Sequence, residues 1–241
     1  MDMPKIGIIT AMPREVAGLV RNWRSVTLGS RGRNWNAFQT ERAVLVCAGI
    51  GPLPAGRAAE AVAKQGVEVL ISAGFAGALV PRMRAGAPFT PEVVVDAETG
   101  ARFRAVFGGG VLASATRVLR EEEKSDLAHR YDAQCVDMEA ATVAAVADRH
   151  GCGFLAVKAI SDTLEFPLPP VEPFIDAEGR FQEAKFVGHV ALRPHLWRSV
   201  ARLAANQRKA AQTICGVLDA ILQIDDLRSV RGKLRPSMKF L

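Results

Sequence analysis

The chain has 241 residues, 49% of them apolar and 23% charged, the balance of a soluble globular protein large enough to bury a full α/β core. No apolar run approaches the ~20 residues needed to span a bilayer, and the N-terminus lacks a charged-then-apolar leader, so a cytoplasmic location is expected. The net charge of +6 gathers at the C-terminus, in Arg228, Arg231, Lys233, Arg235 and Lys239, which leaves the rest close to neutral and gives no basic, aromatic-interleaved stripe for a nucleic acid.

Cys47, Cys135, Cys152 and Cys215 are scattered, with no CxxC and no histidine at ligand spacing. They read as reduced, mostly buried thiols, and neither a metal site nor a cofactor is expected. One domain over residues 1–225, followed by a basic tail over 226–241, is the organisation this composition suggests.

Lys5 to Thr10, KIGIIT, is a β-branched run and a first strand. Pro13 suits the first position of a helix, whose apolar stripe would be Val16, Leu19, Val20 and Trp23. Glu15 lies in its first turn, where the helix dipole alone favours a carboxylate. Val26–Leu28 and Trp35–Thr40 form an expected hairpin around GSRGRN, and Arg42–Ala48 another buried strand. A helix over 55–64 and a strand over 67–73 complete a βαβ unit. The glycine-rich segments Gly49-Ile50-Gly51 and Gly74-Phe75-Ala76-Gly77 read as turns at strand ends, and neither fits GxGxxG. Glycines there permit close approach of a ligand or of another backbone.

Pro81 to Pro91 reads as a loop, Val93–Asp96 as a strand, and Phe103–Ser114 as one or two more. Arg120 to Arg130 is expected to be a charged helix facing solvent. In VDMEAATVAAVADRHG, Asp137 is a good N-cap able to accept from the amide of Glu139 or Ala140, and Gly151 is the stop. Gly153 to Ile160 has the apolarity of a strand buried on both faces, and it ends in Ser161-Asp162. Strand ends of this kind open on the ligand crevice of α/β sheets, so Glu139 and Asp162 can face one pocket. Capping and ordinary turn chemistry explain the same residues without a ligand. Beyond them, Phe166–Phe174 is proline-dense and extended. A helix then runs from Pro194 toward Leu222, with Leu196, Val200, Leu203 and Ala204 on one stripe and arginines elsewhere. It reads as a docked C-terminal helix, or as a basic amphipathic helix making peripheral contact with a membrane surface. Alternating strands and helices predict a mixed, mostly parallel twisted sheet with helices on both faces, a three-layer α/β/α fold.

Four segments in order, KIGIITAMPREV, AGIGPLPAG, LISAGFAGAL, and VDMEA with AVKAISD, resemble the nucleoside phosphorylase and 5′-methylthioadenosine/S-adenosylhomocysteine nucleosidase superfamily. The resemblance implies the same three-layer fold and cleavage of the N-glycosidic bond of a purine nucleoside. It implies Asp162 as the general acid at purine N7, held by Ser161, with Glu15 orienting the attacking water. Such an acid is needed because cleavage leaves an oxocarbenium-like sugar and an electron-rich base. Glu139 would accept from the ribose hydroxyls and Met138 pack under the ribose, with Met12, Ile50, Phe75, Ala76, Gly77 and Asp137 around them. A homodimer is also implied.

The departures from the family pattern bear on the reaction and on the substrate. Phosphorylases of the superfamily bind phosphate through arginines where this chain has Glu15 and Ser72, so hydrolysis is expected over phosphorolysis. Lys158 stands where an arginine is expected, Phe75 where a serine often is, and Val118 or Leu119 where an aromatic stacks on the base. The segment from Pro167 onward resembles the hopanoid-associated phosphorylase-like branch, which removes adenine from an adenosyl lipid. The substrates to be weighed are therefore a small 5′-substituted adenosine and a lipid-conjugated nucleoside. A phosphate-dependent phosphorylase and a non-catalytic nucleoside-binding protein are the remaining alternatives. An open apolar mouth lined by Leu196, Trp197, Val200 and Leu203 is expected if the 5′ group is bulky.

Overall fold

A computed structural model describes residues 5–30 and 33–224; the basic tail expected over 226–241 lies outside the described residues. In chain order the elements are β1 (Ile6–Thr10), α1 (Pro13–Val16), β2 (Arg24–Ser30), β3 (Arg33–Gln39), β4 (Ala43–Cys47), α2 (Pro52–Ala63) and β5 (Val69–Ala78). They continue with β6 (Pro88–Phe89), β7 (Val93–Asp96), β8 (Arg102–Arg104), β9 (Val111–Ser114), α3 (Glu121–Tyr131), β10 (Cys135–Asp137), α4 (Ala140–Arg149) and β11 (Gly153–Asp162). The last two are α5 (Glu183–Ala191) and α6 (Pro194–Leu222). No helix among the described residues is long and apolar enough to cross a membrane.

The strands form one mixed sheet in the order β2-β3-β4-β1-β5-β10-β9-β7-β8, with β11 on β5 and β6 on β11. The central pairs β1–β4, β1–β5 and β11–β5 are parallel, as are β7–β9 and β10–β9. Antiparallel pairing enters through the hairpin β2–β3, the links β3–β4 and β7–β8, the short β6, and β10 against the end of β5. α2 and α4 pack on each other and on the central strands, while α6 lies along β11 and β5 with α1 against it. These are the three layers expected from the alternating pattern.

β5 is the frame of the molecule. Its first residues, Val69 to Ser72, pair with β1, and its last, Gly77 and Ala78, pair with β10 on the same edge. The other edge pairs with β11 along nearly its whole length. Both strands are buried on both faces, with Leu70, Ile71, Ala156, Ala159 and Ile160 at 0% exposure in the pairing region, and so read as apolar runs rather than alternations.

Three sequence expectations are corrected here. The helix expected to carry Val16 through Trp23 breaks after Val16 into a separate 3₁₀ turn, Val20–Asn22, where Gly18 is a poor helix former. Gly74 to Gly77 is not a turn; those residues are the interior of β5. Asp137 is not the N-cap of α4 but the last residue of β10, and Glu139 takes the cap position. Asp137 still serves the helix end, since its Oδ2 accepts from the Ala140 amide at 2.9 Å. Gly151 follows the helix with φ +66°, the left-handed stop that glycine permits most cheaply. Of the four cysteines, only Cys135 is fully buried.

Candidate active site

A cavity of about 440 Å³ opens where β5, β10 and β11 end. Glu15, Asp162 and Glu139 line it from three different elements or their edges.

Glu15 enters from the short α1. It is 2% exposed and faces no cation within ion-pairing distance among the described residues. It is held instead by donors: Thr10 Oγ1 and the Met12 amide, the latter 2.8 Å away, donate to Oε2, and the Phe75 amide donates to Oε1 at 3.2 Å. The Met12 contact is the first-turn glutamate reaching back to its own helix start. A buried carboxylate needs such donors to offset desolvation.

Asp162 closes β11. The register against β5 shifts between Ile160 and Asp162, so Asp162 pairs with Gly77. An irregularity of this kind re-aims a side chain beside a site, and here Ser161 and Asp162, neighbours in sequence, both line the cavity. Ser161 Oγ donates to Asp162 Oδ1 at 2.8 Å, and Lys124 Nζ donates to Oδ2 at 3.0 Å.

β5 makes room for both carboxylates. A Cβ on Gly74 would lie 3.1 Å from Glu15 Oε1, and one on Gly77 would lie 2.8 Å from Asp162 Oδ2. The two glycines are three residues apart on one strand, about 10 Å at the usual rise. The close approach expected of this glycine segment is thus made by side-chain carboxylates.

Glu139 stands at the head of α4, where the Gly51 amide donates to its Oε1 at 2.8 Å. Burial, reinforced by the neighbouring Asp137 carboxylate, raises its pKa to about 7. Behind it Lys158 is fully buried, 2.7 Å from Asp137 Oδ2 and donating to Ser72 Oγ at 3.0 Å. Burial pushes against its charge, but Asp137 and Glu139 outweigh that and raise the lysine above its ordinary value. Asp137 Oδ1 is buried with no hydrogen-bond partner among the described residues.

Met12, Ile50, Phe75, Ala76, Gly77, Val118, Leu119, Asp137, Met138, Glu139, Ser161, Asp162 and Glu15 all line this one cavity. Lys158, expected among the substrate-binding residues, does not line the cavity and is instead the buried counterion of Asp137. Toward the outside, Leu168, Val171, Ile175, Phe181, Phe186 and Val200 make an apolar mouth. The proline-dense segment is not extended throughout, since Glu172–Phe174 forms a 3₁₀ turn. Leu203 also lines the mouth, but Leu196 and Trp197 do not. Trp197 is 55% exposed, and its Nε1 donates to the Val190 carbonyl. Among the described residues no group of three or more His, Cys, Asp and Glu side chains is placed to hold a metal ion.

Lys124 is the site residue that sequence reasoning missed. EEEKSDLAHRY looks like a surface helix, yet Lys124 and Leu127 are both buried on it. Their i, i+3 spacing, continued to Tyr131, was the available signal for an inward stripe.

A family model described as the phosphorylase superfamily matches residues 5–110 and 87–191. The chain is also similar to the 5′-methylthioadenosine/S-adenosylhomocysteine nucleosidase of Helicobacter pylori, at 17% identity and a TM-score of 0.68, covering 92% of this chain and 99% of that one. For the futalosine hydrolase of the same organism the values are 19% and 0.67, over 91% and 97%. For the S-adenosylhomocysteine nucleosidase of Streptococcus pyogenes they are 18% and 0.68, over 92% and 97%. No curated protein sequence matches the chain. At these identities the structural likeness establishes a shared fold.

Proposed function

The chain belongs to the phosphorylase superfamily, and from that premise we propose that it hydrolyses the N-glycosidic bond of a 5′-substituted purine nucleoside, releasing adenine. The observation that carries the proposal is the pair of buried carboxylates, Glu15 and Asp162, standing at Gly74 and Gly77 of one strand and facing one cavity. Those glycines lie about 10 Å apart along the strand, so the two carboxylates approach the cavity at different points of β5. Asp162 then serves the base side, where a proton must reach the purine as the bond breaks. Glu15 serves the opposite side as acceptor for the attacking water. Glu139, at the head of α4 in the same cavity, accepts from the ribose hydroxyls.

Hydrolysis is favoured over phosphorolysis by charge. A buried carboxylate at Glu15 repels a phosphate dianion. Each cation of the lining is matched to an acid: Arg14 to Glu183, Arg117 to Glu123 and Lys124 to Asp162. Adenine release measured on a panel of 5′-substituted adenosines, with and without phosphate, tests this. The expected result is turnover unchanged by phosphate; strict dependence on phosphate would overturn the hydrolytic assignment.

A second reading, a lipid-conjugated nucleoside as substrate, draws on the apolar mouth. Phe181, Phe186, Val171, Ile175 and Val200 offer a 5′ substituent apolar surface well beyond what a methylthio group covers.

A further inference from the structure

Lys124 is unlike its neighbours on α3. Glu121, Glu122, Ser125 and Asp126 are exposed, yet the Lys124 side chain is 6% exposed and ends 3.0 Å from Asp162 Oδ2. Taking an ammonium out of water costs several kcal/mol unless it is partnered, so a surface helix commits a lysine inward only against a strong partner. Asp162 is that partner, and its other oxygen accepts from Ser161 Oγ. Both oxygens of the carboxylate are thus engaged, Oδ1 by Ser161 Oγ and Oδ2 by Lys124 Nζ. Nζ is 3.0 Å from Oδ2, so an ammonium proton lies against that oxygen.

Resting on the N-ribosyl cleavage reading above, we propose that Lys124 stores the proton that leaves with the base, and delivers it through Asp162. As the bond between the anomeric carbon and the purine breaks, its electron pair goes to the base. A proton passes from Nζ through Asp162 Oδ2 to the purine ring nitrogen, so the base departs neutral and Lys124 becomes a neutral amine. Water adds to the anomeric carbon and gives up one proton beside Glu15. Solvent returns a proton to Lys124, and the net reaction consumes only water. Lys124 is thus a positioning residue, touching the acid rather than the ligand. Arginine could hold the same charge but does not release a proton in proteins.

The test uses the full chain as wild type, K124M and K124R on two substrates. One is a 5′-substituted adenosine; the other is 4-nitrophenyl β-D-riboside, whose phenolate leaves without being protonated. Both variants are expected to lower kcat on the adenosine by about 10²–10⁴, the usual worth of general acid catalysis, with KM within about threefold. Losses on the nitrophenyl riboside should stay below about fivefold. Equal losses on both substrates would make Lys124 a structural support and overturn the proposal. Recovery of the adenosine activity in K124R to within about tenfold would overturn it too, by showing that charge alone suffices. Inactivity of the wild type on both substrates would remove the N-ribosyl reading itself, and this inference with it; activity with the wrong pattern removes only the role of Lys124.

Discussion

Glu139 shows how a single residue's surroundings set its chemistry. Burial and the nearby Asp137 carboxylate raise its pKa to about 7, from an ordinary 4.5. The folded form therefore keeps its proton to higher pH than the unfolded chain does. Between about 4.5 and 7 the group costs stability as pH rises, and above that range its contribution is constant. Ligand binding runs the other way, because only the carboxylate accepts from two ribose hydroxyls. Nucleoside affinity, measured by calorimetry across this range, is expected to weaken as pH falls through about 7. Glu139→Gln should bind more weakly at high pH and lose the pH dependence. A wild-type affinity that stays flat through that window would show that Glu139 does not hold the ribose. Glu139, Glu15 and Asp162 were legible in the sequence because each sits in a short motif at an element's end. Lys124 was not, because on a helix this polar the short inward stripe it shares with Leu127 and Tyr131 is outweighed by the surrounding charges.

At the scale of elements, β5 explains both what the sequence disclosed and what it hid. Its apolar start was plain from the run VLISA, but its end was not. Gly74-Phe75-Ala76-Gly77 reads as punctuation, since glycine usually marks turns. Here the strand continues, and the missing side chains clear space for Glu15 and Asp162. Gly77 makes this testable, because its backbone is not in the left-handed region and alanine there brings only a steric effect. The added Cβ would fall 2.8 Å from Asp162 Oδ2, so the carboxylate has to shift off Lys124 or the strand has to yield. A displacement of about 1 Å at a reacting group costs on the order of 10² in rate. Gly77→Ala is expected to lower kcat by about that factor while melting within a few degrees of wild type. Full activity in this variant would show that the position of the carboxylate is not critical. The same contrast explains the short α1: the stripe from Val16 to Trp23 has helical spacing, yet periodicity does not register the poor helix former Gly18.

Across the whole molecule the cavity is graded. Charged and hydrogen-bonding groups gather where β5, β10 and β11 end, and the side chains added by α5, α6 and the segment before them are mostly apolar, Glu183 and Gln207 being the polar ones. The apolar grade extends past the rim, where Val187, which lines the mouth, is 63% exposed, and Leu192 is 82% exposed. In the proposed binding mode, with the base at Asp162 and the ribose at Glu139, the 5′ carbon would face this mouth. The 5′ substituent then sets affinity by apolar burial, worth about 0.8 kcal/mol for each methylene fully removed from water. Replacing methylthio by butylthio adds three methylenes, so kcat/KM is expected to rise by about 10- to 50-fold, the upper figure corresponding to complete burial. Val200→Ser should flatten this gradient, because Val200 lines the mouth and none of the three carboxylates depends on it for a hydrogen bond. A longer alkyl series separates a closed pocket from an open one, since a closed pocket would reverse the trend once its volume is exceeded. A preference for the methylthio compound over every larger substituent would mean that the mouth closes on the ligand. The apolar side chains of α5 and α6 would then be a lid over a small substrate rather than a path for a large one.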